Sequence, residues 1–270
     1  MAEAKNYFAD GEAYEITMGR WSRVAGEEFL DWLSLPNGLR WLDIGCGTGA
    51  FTELVLDRSG PSMISGVDPS EDQITYAKGR AAASGIDYRL GDALSLPFGD
   101  DEFDVAVMAL VIGQLSDRAK AMAEMKRVVR QGGTVATYVW DGPDRGHPQQ
   151  PLFDTLKALS GELRRGPGNQ ARPIGALRNL FEASGLEDVT SRTIDIRLTF
   201  KDFDQFWVAQ TALASRTIQA IRNLSESDVA RFKALLLERL PTNTDGRIAY
   251  TAQANALKGR VPEQHSASRW

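Results

Sequence analysis

The chemistry legible first lies in Trp41-Leu42-Asp43-Ile44-Gly45-Cys46-Gly47-Thr48-Gly49, where an apolar run gives way to alternating glycines. Glycines let a backbone pass close to a ligand and adopt dihedrals closed to other residues. A helix starting just beyond them would offer unpaired N–H groups to an anionic or polar ligand. That physics does not choose a cofactor, because Gly45, Gly47 and Ala50 also fit the G-x-G-x-x-A loop of dinucleotide sites. The acids around the loop narrow the choice. Asp43 stands two residues before the first glycine, where a carboxylate suits an ammonium and gains nothing from a pyrophosphate. Asp68 follows the next apolar run and can accept hydrogen bonds from both ribose hydroxyls, a role that serves either kind of cofactor. Asp92, within Gly91-Asp92-Ala93, can accept from an adenine amino group. Together they suit a nucleoside that carries an amino acid.

These residues need a scaffold that brings strand ends together. Apolar runs predict strands at Leu39–Ile44, Met63–Val67, Ile86–Leu90, Phe103–Ala109 and Thr134–Trp140. Helical spacing begins at Trp21 and continues through Val24, Ala25, Phe29, Trp32 and Leu33. Further helices are expected at Ala50–Arg58, from Ser70, whose spacing to Gln73 suits a cap, to a stop at Gly85, and at about Asp117–Arg130. Alternating strand and helix is the pattern of a doubly wound parallel sheet. Beyond Trp140 the texture changes to Gly- and Pro-rich loops. A helix opened by Pro173 and closed by Gly185, a strand at Leu186–Phe200, two helices with the second from Ser225, and a last strand at Arg247–Leu257 are expected there.

Composition excludes several classes. The 270 residues carry 31 Lys+Arg against 36 Asp+Glu, a formal charge of −5, without the basic surplus of a nucleic-acid binder. Arg164 and Arg165 form only a local basic pair. One cysteine and two histidines leave no basis for a disulfide framework or a zinc site, so no metal is expected. The longest apolar run, Val105–Ile112, is far short of the ~20 residues that span a bilayer. With no apolar signal core at the N-terminus, a cytoplasmic protein is the expectation.

The motifs taken together resemble the class I methyltransferases that use S-adenosylmethionine, most closely the UbiE/Coq5-like type. The resemblance rests on LDIGCGTG at 42–49, GVDPS at 66–70, GDALSLPF at 91–98, FDVAVMALVIGQL at 103–115 and EMKRVVRQGGT at 124–134. It implies a Rossmann-like α/β fold: a seven-stranded sheet, mostly parallel, with an antiparallel last strand and helices on both faces. It implies one domain over 1–270, with a helical cap at 1–38, a cofactor core at 39–140 and a C-terminal half at 141–270 carrying a substrate-side insertion near 201–240. Carried over by position, Asp43, Gly45, Cys46, Gly47 and Gly49 surround the methionine portion and Asp68 meets the ribose. Pro69, Gln73, Asp92 and Ala93 lie around the adenosine, and Val111 sits near the methionine end. Cys46 is a small filler rather than a nucleophile.

The implied reaction is methyl transfer to a small-molecule acceptor, leaving S-adenosylhomocysteine, and a base is needed only if the acceptor arrives protonated. Where many relatives carry a histidine after the fourth strand, this chain has Gly113-Gln114. Gln114 and His147 are therefore the candidates for contact with substrate, and the catalytic residues stay open. His265 is expected to be exposed. The stretch from Tyr14 to Arg23 resembles a segment that covers the cofactor: Arg20 could pair with its carboxylate, and Tyr14 or Trp21 could stack near the sulfonium. The alternative is an amphipathic helix that packs Met18 and Trp21 on the sheet. Phe203, Phe206 and Trp207 suit either core or an apolar wall. No Asn/Asp-Pro-Pro-Tyr follows the fourth strand, and no Tyr-x-x-x-Lys supports a nicotinamide oxidoreductase. A non-catalytic domain that binds the cofactor remains an alternative.

Overall fold

In a computed structural model, residues 15–80, 84–142, 146–160, 173–212 and 215–263 are described. Tyr14, Arg164, Arg165 and His265 lie outside them. A wide helical turn, Glu15–Gly19, leads into α1 (Arg20–Leu33). Strand and helix then alternate: β1 (Arg40–Ile44), α2 (Ala50–Ser59), β2 (Met63–Asp68), α3 (Glu71–Lys78), β3 (Ile86–Leu90), β4 (Phe103–Ala109), α4 (Arg118–Val128) and β5 (Val129–Trp140). The second half adds α5 (Gln150–Ser160), α6 (Ile174–Ala183), β6 (Glu187–Phe200), α7 (Phe203–Thr211), α8 (Arg216–Arg222), α9 (Glu226–Arg239) and β7 (Ile248–Arg260).

All seven strands form one sheet in the order β3-β2-β1-β4-β5-β7-β6. The first five are parallel and β7 runs antiparallel to both β5 and β6, as expected. The chain order reverses between β1 and β4, so a crevice opens at the carboxyl ends of those strands, where ligands bind in such sheets. Alternation along the strands divides the core between the two faces. Trp41, Val105 and Val107 pack with α1 and α2 on one side, while Leu42, Ala106 and Met108 pack with α4 and α6 on the other.

β6 and β7 outrun the rest of the sheet. Trp140 at the end of β5 pairs with Ala254, but β7 continues back to Ile248, paired throughout with β6 as far as Phe200. This ribbon projects past the carboxyl end of β5 and carries α7–α9 at its tip. Phe206, Ile218, Ile221, Phe232 and Leu236 from those helices join the α1-side core.

Side-chain caps account for most helix starts: Ser70, Asp117, Asp202, Ser215 and Ser225 each accept an N–H from the first turn. Three local expectations change. The helix after β2 ends at Lys78 with Gly79 as its cap, well before Gly85. β5 begins at Val129 rather than Thr134, because Gly132 (φ 71°) lets the strand absorb a register shift against β4. Three helices, not two, separate β6 from β7. Among the described residues no helix is long and apolar enough to cross a membrane.

Candidate active site

β1 is buried between β2 and β4, and the chain leaves it through Gly45 (φ 75°), Gly47 (φ 53°) and Gly49 (φ 81°) before entering α2. The loop is pinned by backbone bonds: Gly45 N and Cys46 N both donate to the Val67 carbonyl, at 2.7 and 3.1 Å. Close neighbours fix two of the glycines. A Cβ on Gly45 would fall 2.5 Å from Val111 Cγ2, and one on Gly49 would strike the Tyr88 hydroxyl. Val111, just past β4, thus lies against the first glycine. Cys46 is buried, and burial together with the charges of Asp43 and Asp68 pushes its thiol well above the ordinary range, as suits a filler.

Asp43 is 3% exposed, and its Oδ2 accepts from Thr52 Oγ1 at 2.7 Å. Its Oδ1 is buried and meets no partner among the described residues. Burial raises its pKa from 3.8 to about 7; the Thr52 bond works the other way and Asp68 adds a smaller push upward. Asp68, at the end of β2, accepts from Gly47 N (3.0 Å) through Oδ2 and from Ser70 N (2.9 Å) through Oδ1. Burial raises its pKa as well, against the two backbone bonds. Gln73 is buried on α3, its Oε1 3.9 Å from where a Gly47 Cβ would stand, while Pro69 is exposed beside Asp68. Asp92 is exposed after β3 and accepts from Leu94 N at 2.9 Å; Ala93 beside it is buried.

The remaining expected residues have other surroundings. Arg20 is exposed, its guanidinium 5.7 Å from the Phe200 ring centre and 3.5 Å from the Thr199 carbonyl, so its contacts are with the ribbon. Gln114 is exposed in the short turn after β4 and donates Nε2–H to the Leu110 carbonyl at 3.2 Å. His147 is half-buried after β5; its Nδ1 accepts from Gln149 N at 3.0 Å, which caps the approach to α5. Trp21 is 1% exposed, with its ring 5.0 Å from Tyr250, and Met18 is buried too, so α1 packs both into the core. Phe206 is buried, whereas Phe203 and Trp207 are partly so.

Sequence reading missed the groups that hold the named ones. Thr52 orients Asp43 across the strand–loop–helix connection, and Tyr88 reaches under the loop from β3. Arg127 on α4 clamps the loop that carries Asp92 and Ala93: it donates to the Phe98 and Leu96 carbonyls (2.8 and 3.2 Å) and pairs with Glu124, which in turn accepts Leu96 N. The stretch EMKRVV carries Glu124 and Arg127 at helical spacing, which gives no sign of what its charges grip.

With this geometry in place, the chain is similar to known proteins. The methyltransferase domain model matches residues 42–137. A demethylmenaquinone methyltransferase of Bacillus licheniformis is 30% identical over 172 residues, covering 58% of this chain and 74% of the relative. The chain belongs to the class I S-adenosylmethionine-dependent methyltransferases. Solved structures carry the same fold at lower identity. A Haemonchus contortus phosphoethanolamine N-methyltransferase, solved with S-adenosylhomocysteine, superposes with a TM-score of 0.56 at 16% identity, over 93% of this chain and 56% of that one. The cyclase SpnF superposes at 0.53 and 20% identity, over 89% and 81%. A methyltransferase fold thus extends to a protein named for a different reaction, and the acceptor must be argued from the site.

Proposed function

We propose that this methyltransferase moves a methyl group to a small-molecule acceptor by in-line displacement, with Asp43 as the anchor of the donor site. The observation that carries the reading is the Asp43 carboxylate, buried and bonded through Oδ2, with Oδ1 open at the foot of the glycine loop. A buried carboxylate in that state favours a cationic partner, and the ammonium of a methionine moiety supplies one. The loop Gly45–Gly49, with Cys46 and Val111, would face the rest of that moiety. Asp68, held by two backbone N–H groups, has lone pairs left for ribose hydroxyls. Pro69, Gln73, Asp92 and Ala93 would enclose the adenosine, and Arg20 would reach the cofactor carboxylate only by leaving its contacts with Thr199 and Phe200. S-adenosylmethionine, when bound, supplies a methyl already activated on a sulfonium. In the same reading 39–140 is the donor half, 1–38 its cover, and 141–270 the acceptor half with the insertion near 201–240.

The chain's own part is to bind, orient and exclude water. Gln114 is an amide and cannot take a proton at neutral pH. His147 Nδ1 is engaged as an acceptor for the Gln149 backbone N–H. Both facts support an acceptor that does not rely on either side chain as a base, such as one already present as an enolate or phenolate. The name of the Bacillus licheniformis relative supplies a starting compound class. That neither Gln114 nor His147 is placed as a base also keeps a second reading, binding of the cofactor without transfer.

Thermal shift with S-adenosylmethionine, S-adenosylhomocysteine and NAD tests the donor site. At a hundredfold excess over Kd a ligand adds about 2.7 kcal/mol, or roughly 5–10 °C for a chain of this size. Stabilisation by NAD alone overturns the reading. Methyl transfer from labelled donor to a demethylated hydroquinone, followed by mass spectrometry, separates transfer from mere binding.

A further inference from the structure

The turn Glu15–Gly19 has no part in the chemistry above, yet it touches both halves of the molecule. Thr17 and Met18 are buried, and the turn packs against both α1 and α7 of the insertion. At its start Glu15 reaches the glycine loop. Its Oε1 accepts from Thr48 Oγ1 at 2.8 Å and lies 3.7 Å from Arg80 Nη1. Arg80, just past α3, also donates Nη2–H to Glu53 Oε2 at 2.7 Å, and Glu53 belongs to the first turn of α2. One guanidinium thus ties the turn to the helices on either side of β2. Gly19 lies close by: a Cβ there would fall 2.6 Å from Glu15 Oε2, so a larger residue would push the carboxylate from this position.

Thr48 is 4% exposed, and a buried hydroxyl that loses its acceptor pays the cost of desolvation. Its position between Gly47 and Gly49, both at positive φ, means that Thr48 is the side chain through which this stretch of loop can be gripped. Glu15 provides that grip, and it does so from a segment that also rests on the acceptor-side helix.

We propose that Glu15 is a positioning residue: through Thr48 and Arg80 it latches the Glu15–Gly19 turn onto the glycine loop, holding the loop in its binding shape and slowing release of the cofactor. The inference rests on the donor-site reading given above. With the latch broken, the loop keeps its backbone bonds to Val67 but loses its outer restraint, so the effect falls on binding more than on folding.

The test compares Glu15→Ala, Thr48→Val, their double variant and Glu15→Gln with the unaltered chain. Affinity for S-adenosylhomocysteine is measured by calorimetry, its release by stopped-flow tryptophan fluorescence, and melting temperature without ligand. Each single variant is expected to weaken binding about tenfold, the scale of one charge-assisted hydrogen bond, through faster release. The double variant is expected to be no weaker than either single one, and Glu15→Gln, which keeps an acceptor oxygen but no charge, to fall between. Unchanged affinity in the single variants, additive losses in the double, or a fall in melting temperature with affinity intact overturns the latch alone. Failure of the unaltered chain to bind overturns the donor-site reading and the latch with it. If Glu15→Ala does not fold, Thr48→Val and Glu15→Gln carry the same comparison.

Discussion

Around the glycine loop the acids keep acceptor oxygens for a ligand: Gly47 and Ser70 donate their N–H groups to Asp68, Leu94 donates to Asp92, and Asp43, held by the Thr52 hydroxyl, keeps one oxygen open. Beyond Trp140 buried side chains tie distant segments together. Tyr250 donates its hydroxyl to the Pro148 carbonyl at 2.6 Å and accepts from Gln210 Nε2 at 3.1 Å, while Gln149 donates to the Gln210 carbonyl at 2.9 Å. Around that chain pack Trp21, Phe200 and Phe206, with Phe206 edge-on to Phe200. The first region spends its order on presenting acceptors to a ligand, and the second on closing a core. One consequence is that donor binding and fold stability should respond to different substitutions.

The sharpest way to break that division is Phe206→Ala. Emptying a fully buried aromatic site costs about 3–5 kcal/mol, a drop in melting temperature of roughly 6–20 °C, and affinity for S-adenosylhomocysteine should stay within about twofold if the protein is folded at the assay temperature. A parallel loss of affinity would show that the ribbon supports the donor site directly.

Asp43→Asn should do the converse, lowering donor affinity at pH 8 by about 10–100-fold, the range for a hydrogen bond to a charged group. The pH dependence sharpens it. Because the folded carboxyl titrates near 7 instead of 3.8, the ligand-free native state holds a proton that the unfolded chain gives up. This contribution to stability is present below pH 3.8 and is lost as pH rises through 7. Binding an ammonium needs the ionised form, so affinity should rise about tenfold per pH unit up to about pH 7 and then level off. A flat profile in the unaltered chain, or the same slope in Asp43→Asn, would remove Asp43 from the donor site.

The smallest effect is expected from Tyr250→Phe, which removes two hydrogen bonds from a side chain whose phenol is pushed well above its usual range by burial. Stability should fall by about 1–2 kcal/mol in chemical denaturation with donor affinity unchanged. A change in affinity would join the two regions through Pro148 and the loop after β5.

The donor half was legible because its central parallel strands, β1, β2 and β4, are largely buried and read as short apolar runs, with glycine or aspartate at the ends of β1, β2 and β3. β3 and β4 fall where those runs fall, and the acids emerge at the predicted strand ends. What was not legible depends on contacts between distant segments. Asp43 and Thr52, or Glu15 and Thr48, meet only because the fold brings them together, and no spacing rule anticipates either pair. Trp21 had two readings from the same helical pattern; contact with Tyr250 on β7 decides for the core. The extra helix between β6 and β7 escaped because α8 is only Arg216–Arg222, too short for periodicity to separate it from its neighbour.

The strand order also has a consequence for synthesis. β7 sits between β5 and β6, yet it is made after both. Until Ile248–Arg260 has left the ribosome, β6 has no partner in the sheet, and the edge of β5 is open along Thr134–Trp140. The sheet can therefore be completed only as the last strand threads into a prepared slot, a long-range step that is slow by nature and leaves pairing edges exposed meanwhile. During that interval a nascent chain is most open to aggregation or to capture by a chaperone, and a stop a few residues before Ile248 would leave that interval without an end.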